Sequence, residues 1–411
     1  MSQRTYVYVG GGAAGYFAAI NCAEKNPQAT HFLLEGTHRP MAKIRISGGG
    51  RCNVTHSCFD TRELVGRYPR GSRELLGAFS RFQPKDTIAW FEKRGVQLKT
   101  EEDGRMFPTS DKSETIISCL NREAETHGVQ IRKGALVKSI QKEERFILML
   151  QNGDRIEADA VLLATGSFPS SYALAQGLGH NIVPPVPSLF TFNVKHALLE
   201  DMMGTSFAHT VITMQIRSLE KKTKWVQTGP LLITHWGLSG PAVLKLSAFA
   251  ARELHAAHYQ AQLKVNWTGV ENEADILQVL NTQKVQEGKK HVLATPLFEI
   301  SKRFWHKLVA FSLPDKQEAL WSELSKKDLM SLCQSLMASE LEVDGKGVFK
   351  EEFVSAGGVD LKEVDFKSME SKLCPGLFFA GELLDVDGIT GGYNFQNAWT
   401  TAWIASQNMG S

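Results

Sequence analysis

Polar and apolar residues alternate through Thr5-Tyr6-Val7-Tyr8-Val9 and the alternation stops at Gly10-Gly11-Gly12. That is the pattern of a buried strand ending at a turn. From Ala13 to Ala23 the apolar positions predict a helix, and His31 to Leu34 predicts a second strand. Further helices are expected from about Glu74 to Arg94 and from Ser113 to His127. Strands follow around Val129–Ile140, Phe146–Leu150 and Arg155–Leu163, before Pro184, Pro185 and Pro187 punctuate the chain. Alternating strands and helices predict an α/β layer with a parallel sheet, and the prolines predict its boundary.

Beyond Leu189 the period changes. Ile212, Met214 and Ile216 alternate with Thr213 and Gln215, and Leu263, Val265 and Trp267 with Lys264 and Asn266. An antiparallel or barrel-like insert is expected there. Residues 271–338 read as helical: Ser325 and Asp328 fit a capping box, and Leu329, Leu332, Cys333 and Leu336 share one helical face. The first region's style then returns. The expected division is therefore a Rossmann-like nucleotide-binding domain from 1–187 and 346–411, a β-rich insert from 188–270 with 339–345, and a helical subdomain from 271–338.

Gly10, Gly12 and Gly15 fill a G-x-G-x-x-G frame between the first strand and helix. The first glycine allows the tight turn, the second lets backbone approach a pyrophosphate, and the third lets helix and strand pack closely. N–H groups around Ala13 and Ala14 and the positive dipole end would face the phosphates. Glu35 ends the second strand, where a carboxylate can accept hydrogen bonds from a ribose diol. Strand, frame, helix, strand and acid in that order predict a bound dinucleotide.

Composition adds little to this picture. A net charge of +2 over 411 residues supplies no bulk argument for nucleic acid or membrane. The six cysteines lack C-x-x-C or metal-finger spacing, so reduced thiols, no metal site and a cytoplasmic setting are expected. No apolar run approaches membrane-spanning length, and the amino-terminal residues do not read as a signal peptide.

Three further motifs favour FAD over NAD. Ile46-Ser47-Gly48-Gly49-Gly50-Arg51-Cys52-Asn53-Val54-Thr55 offers close backbone approach, with Arg51 expected to offset pyrophosphate charge. Leu162-Leu163-Ala164-Thr165-Gly166 reads as a strand ending in a tight turn. Phe378-Phe379-Ala380-Gly381-Glu382 is followed by Asp387 and by Gly391-Gly392-Tyr393-Asn394-Phe395-Gln396, a glycine turn that starts a helix. The free N–H groups at that helix start can face the flavin edge where negative charge accumulates on reduction.

Together these stretches resemble a family of bacterial flavoproteins marked by an I-S-G-G-G-R-C-N loop and a G-G-Y-N-[FL]-Q carboxy-terminal motif. Asp103-Gly104-Arg105-Met106-Phe107-Pro108, Thr234-His235-Trp236-Gly237-Leu238-Ser239-Gly240-Pro241 and Ala356-Gly357-Gly358-Val359 extend the likeness over nearly the whole chain. The resemblance implies a glutathione-reductase-like FAD domain with the inserts drawn above. It also implies cofactor contacts that include Lys43, Val137, Glu382 and Phe395. Members are linked to bile-acid dienone reduction, ribosomal RNA dihydrouridine synthesis and aminoacetone oxidation. One departure concerns substrate: after Gly166, Ser167-Phe168-Pro169-Ser170-Ser171 leads straight into Tyr172, where the family has a longer loop.

The implied chemistry is hydride transfer from reduced flavin to an activated C=C bond, in a conjugated enone or in uracil of ribosomal RNA. Amine oxidation and a regulatory, RNA-associated flavin protein are the alternatives. Such a reductase needs a proton donor, and Cys52, His235 and Tyr393 are the candidates. Arg51 would favour a Cys52 thiolate, although a free cysteine is more often core filler. His235 suits proton transfer or a structural hydrogen bond. The helix dipole would assist a Tyr393 phenolate, against simple packing. No second glycine frame marks a nicotinamide domain; NAD(P)H could bind transiently at the flavin face, or another donor could serve. Arg62, Arg67, Arg70, Arg73, Arg81 and Lys85, with Tyr68, Phe79 and Phe82 interleaved, could follow an RNA backbone and stack bases, as could Lys221, Lys222 and Lys224 before Trp225. A solvated surface is the competing reading.

Overall fold

A computed structural model describes residues 3–218, 223–347 and 354–410. Lys221 and Lys222 lie outside the described residues. The chain divides into two units: residues 1–186 with 354–411, and residues 187–353.

The first unit is built on a parallel sheet. β1 (Thr5–Val9) pairs with β2 (Thr30–Glu35) on one side and with Ala160–Leu163 on the other, and α1 (Ala13–Lys25) connects the first two. Gln130–Lys133 extends the sheet beyond β2, and Leu377–Phe379 extends it beyond Ala160–Leu163. Val364–Asp365 and Glu370–Ser371 add an antiparallel edge, giving seven strands among the described residues. Tyr6, Val7, Tyr8 and Val9 are all buried. A strand covered on both faces reads as nearly continuous apolar sequence. The last helix, Tyr393–Asn408, packs on α1; its Trp399 contacts Phe17 at 5.2 Å between ring centroids.

Three expected elements are divided in the structure. The Glu74–Arg94 stretch is two helices, Ser72–Phe79 and Pro84–Lys93, because Pro84 starts a new helix and the Gln83 N–H is capped by Asp86. Val129–Ile140 splits at Gly134 into Gln130–Lys133 in the parallel sheet and Val137–Lys142 in a separate antiparallel sheet. Arg155–Leu163 divides in the same way, with Arg155–Ala158 antiparallel to Phe146–Leu150. Residues joined by one apolar pattern thus serve two sheets.

In the second unit Phe192–Val194, Gly237–Ser239, Lys224–Ile233, Ser206–Gln215, Gln260–Asn266 and Ser339–Lys346 close into a six-stranded barrel among the described residues. Ile212, Met214, Leu263 and Val265 fill its interior. Helices follow, including Lys326–Met337, whose Ser325 and Asp328 make the expected capping box and whose Leu329, Leu332, Cys333 and Leu336 are buried.

Candidate functional site

The glycines of the first turn divide by what their missing Cβ would meet. At Gly15 a Cβ would lie 1.8 Å from the Gly10 carbonyl oxygen, and at Gly10, where φ is +112°, 2.5 Å from that of Ala164. Both positions are therefore dictated by the fold itself. At Gly12 a Cβ would meet nothing within 4 Å. Gly12 is also the N-cap of α1 and makes no side-chain cap, so the first N–H groups, around Ala13 and Ala14, have no intrahelical acceptor. An open side beside free N–H groups at a helix start suits a phosphate.

Glu35 is already engaged. Its Oε2 accepts from Gly11 N at 2.8 Å, while Oε1 accepts from Thr37 N and Oγ1 at 2.8 and 2.7 Å. The carboxylate that was expected to await a ribose also shapes the glycine turn. Ala135 N bonds the Glu35 carbonyl at 2.8 Å, bringing the strand that starts at Val137 beside the same end of β2.

α2 (Ala42–Gly50) starts after Met41 but ceases to be helical at Ser47, Gly48 and Gly49. The glycine run is thus the unwound end of a helix. Gly49 and Gly50, both at positive φ, have open sides; a Cβ at Gly48 would strike Phe107 at 2.8 Å. Arg51, expected to offset pyrophosphate charge, has protein partners of its own. It pairs with Glu101 at 2.5 Å and lies 3.9 Å above the Phe107 ring.

Cys52 is fully buried at φ +63°, and burial pushes its thiol up to about 12. The expected thiolate is corrected: Arg51 is engaged elsewhere, and desolvation dominates. Cys52 should therefore resist a thiol reagent in the native protein at pH 8 and react after denaturation. The sign is that of a raised folded-state pKa: its contribution to stability is intact below pH 9 and is lost as pH rises toward 12. A base titration of unfolding checks the second part, and rapid native labelling of Cys52 would contradict the first.

Ala164, Thr165 and Gly166 follow the strand Ala160–Leu163, with Ala164 N bonded to the Val9 carbonyl at 2.8 Å. The buried Thr165 hydroxyl has no partner in the described structure. On the neighbouring strand end, Gly381 lies against α1, its missing Cβ 3.0 Å from that of Ala14. Glu382 pairs with Lys43 at 2.5 Å and accepts from Ser167 Oγ at 3.4 Å and Ser355 N at 3.3 Å. The cradle thus unites Gly12, Ala14, Lys43, Thr165 and Glu382 from distant stretches of sequence.

The carboxy-terminal motif is braced from within. A Cβ at Gly392 (φ +93°) would lie 2.5 Å from the Thr55 carbonyl oxygen. In the orientation that satisfies both its groups, the Asn53 carboxamide donates to Thr55 O and accepts from Gly392 N, each at 3.0 Å. Asn394 holds both backbone groups of Gly388 at 2.8 Å. Gln396 is fully buried: Oε1 accepts from Thr55 and Thr87, and Nε2 donates to Thr400. Asp387, also fully buried, takes a two-point ion pair from Arg70. The side chains of Asn394, Gln396 and Asp387 therefore shape the turn. Phe395 stacks on Trp399 at 5.9 Å.

Tyr393 is buried, and burial pushes its phenol up to about 12, so the expected phenolate is also corrected. Its ring stacks on His56 at 4.8 Å, and its carbonyl accepts from Tyr68 Oη at 2.6 Å. His56 was missed by sequence reasoning. Its Nε2 bonds the Asp103 carbonyl, and burial holds its pKa below the ordinary imidazole value. Arg67 to Gly71 was missed in this role too: the Arg67 carbonyl accepts from Ile389 N, and Arg70 forms a backbone bridge with Asp387. A buried arginine amid exposed ones carries no local signal. Tyr68, Phe79 and Phe82 are core residues, which removes the stacking platform that the RNA reading of the basic stretch requires.

His235 belongs to the second unit. It is exposed with Trp236 at a tight hairpin tip, where Thr234 N bonds the Gly237 carbonyl at 2.8 Å. Among the described residues no group of His, Cys, Asp and Glu could hold a metal ion, and no helix is long and apolar enough to cross a membrane.

A Rossmann sheet with an open glycine cradle at the start of its first helix defines a dinucleotide-binding protein, and its family and relatives make it an FAD-dependent oxidoreductase. Residues 4–408 match the HI0933-like protein Rossmann domain, and the chain belongs to that family. It is 29% identical to the 3-dehydro-bile acid delta(4,6)-reductase of Clostridium scindens, over 97% of each chain. It is 28% identical to the ribosomal RNA dihydrouridine synthase of Escherichia coli, over 100% of this chain and 98% of that one. Among solved structures, 3-ketosteroid delta1-dehydrogenase from Sterolibacterium denitrificans shares the fold, with a TM-score of 0.51 at 10% identity over 99% of both chains.

Proposed function

We propose that this oxidoreductase reduces an electron-poor C=C bond conjugated to a carbonyl. The observation that carries the reading is the start of the last helix. Gly391 and Gly392 turn the chain at positive φ, and first-turn N–H groups and the positive dipole end are aimed out of the helix. Such a terminus stabilises negative charge on a reduced cofactor. Bound FAD would supply the hydride. Gly12 would admit the pyrophosphate, Glu35 would receive the ribose, and Gly48, Gly49 and Gly50 would bring backbone close to the flavin.

Tyr393 carries its proton at neutral pH, as an ordinary phenol does, and burial strengthens this; we assign it the proton donated to the substrate. Tyr393 begins the helix that faces the proposed cofactor, which makes it the preferred donor of the three. NAD(P)H is the proposed reductant and the cytoplasm the proposed setting. The relatives named for a bile acid and for dihydrouridine support a conjugated acceptor. Burial of Tyr68, Phe79 and Phe82 favours a small molecule over RNA.

The test is anaerobic reduction followed by rapid mixing. A cyclic enone should reoxidise the flavin, and Tyr393→Phe should slow that step by about 100-fold with FAD content unchanged. Failure with both an enone and uracil-containing RNA, alongside reduction of the oxidised enzyme by a primary amine, would replace this reading with amine oxidation.

A further inference from the structure

One arginine beside the start of the last helix has no carboxylate of its own. Arg51 pairs with Glu101, Arg70 with Asp387, and Arg105 with Asp103 and Glu101. Arg67 is exposed and forms no ion pair among the described residues. Its backbone is nevertheless fixed to the glycine turn. The Arg67 carbonyl accepts from Ile389 N at 2.9 Å, and the next residue, Tyr68, donates its hydroxyl to the Tyr393 carbonyl at 2.6 Å. The Tyr68 and Tyr393 rings meet edge-on at 6.1 Å. These two bonds clamp Arg67 and Tyr68 across the segment that ends at Tyr393.

The guanidinium acts on the same place. Burial raises the Tyr393 phenol, and the Arg67 charge is the largest influence opposing it. Burial also raises the Cys58 thiol, where Arg67 is again the first opposing charge, and it lowers His56, where Arg67 adds to the effect. Charge falls off with distance, so the guanidinium lies near all three. His56 in turn stacks on Tyr393 at 4.8 Å, and a Cβ at Gly391 would lie 3.6 Å from its Cδ2. An exposed cation, a protonated phenol and the positive end of a helix therefore converge. That combination suits an oxygen on which negative charge develops during reaction.

We propose that Arg67 receives the carbonyl oxygen of the substrate and stabilises the enolate formed there. The proposal rests on the enone-reduction reading and adds a partner for the oxygen, where Tyr393 serves the carbon. When hydride supplied by the bound, reduced cofactor reaches the far carbon of the C=C bond, the π pair shifts through the conjugated system onto the oxygen. Arg67 holds that charge until the near carbon takes the Tyr393 proton and the carbonyl re-forms. The phenolate left on Tyr393 then takes a proton from water.

The holoenzyme, with FAD oxidised, is dialysed to equilibrium against para-nitrophenolate, whose charge is shared between oxygen and a conjugated system as in an enolate. Neutral para-nitroanisole is the comparison. Wild type should hold the phenolate more tightly. Arg67→Gln should weaken phenolate binding by about 10-fold, with nitroanisole binding and FAD content unchanged. Arg62→Gln, which removes another exposed arginine of the same stretch, should match wild type. Arg67→Gln should also slow reoxidation of the reduced enzyme by a cyclic enone by about 100-fold, and added guanidinium should restore part of the rate. No phenolate preference in wild type, equal phenolate binding by wild type and Arg67→Gln, an equal loss in Arg62→Gln, or loss of FAD from Arg67→Gln overturns the proposal. If phenolate binding depends on Arg67 but no enone reoxidises the reduced wild-type enzyme, the anion site stands and the enone-reduction reading fails.

Discussion

Replacing Gly12 with valine should abolish FAD retention while leaving the apo-protein folded. The space beside Gly12 is empty of protein atoms to 4 Å, and its φ of −91° is open to any L-residue. The fold loses little, on the order of 1 kcal/mol at an N-cap position. A branched side chain would instead occupy the approach of the pyrophosphate to the free N–H groups of α1, and a 100-fold weakening, about 2.7 kcal/mol, is expected. Gly15→Ala is the contrasting control. Its methyl would collide with the Gly10 carbonyl oxygen, so that variant should lose stability with or without cofactor. Titration of apo-protein with FAD, with a thermal melt of each variant, separates the two effects. Normal FAD affinity in Gly12→Val would remove the pyrophosphate from this turn.

The largest loss of stability is expected from Arg70→Ala. Asp387 is fully buried, and the guanidinium supplies a two-point ion pair across 317 residues of chain. Removing one partner of a buried pair strands a charge in the interior and costs about 3–5 kcal/mol. A fall in melting temperature on the order of 10 °C is expected. The same change should release the turn from Asp387 to Gly392, so FAD affinity should fall too. Arg70→Lys keeps the charge but not the planar fork, and should lie between wild type and alanine. Calorimetry of the apo-proteins measures the first effect; an Arg70→Ala variant that melts with wild type would show that Asp387 has sufficient other support.

Burial of several ionisable hydroxyls points the same way on pH. Tyr16, Tyr172 and Tyr393 are each pushed up to about 12, chiefly by desolvation. Their neutral forms belong to the folded state, so the fold should weaken in base as they and Cys52 are forced to ionise.

Much was legible in the chain because it rests on short-range physics. The period of Thr5–Val9, the glycine frame, the Ser325 capping box and the alternation at Ile212–Ile216 each depend on neighbours within one strand or helical turn. Those signals were enough for a Rossmann-like dinucleotide-binding domain with a β-rich insert, and the later glycine motifs and the family resemblance added FAD. The glycine frame already gave turn and packing roles to Gly10 and Gly15, and the fold itself crowds those two while leaving Gly12 open. Roles elsewhere in the motifs were not legible. Asn394, Gln396 and Asp387 share a motif that looked wholly directed at a ligand, but their partners are Gly388, three threonines and Arg70. Arg70 itself sits in a run of cations that read as a surface. Tertiary structure decided these cases because each turns on a partner several to hundreds of residues away, and on whether water or protein surrounds the group. Burial sets whether Cys52 is a thiol or a thiolate, and no local pattern encodes the depth at which a residue lies.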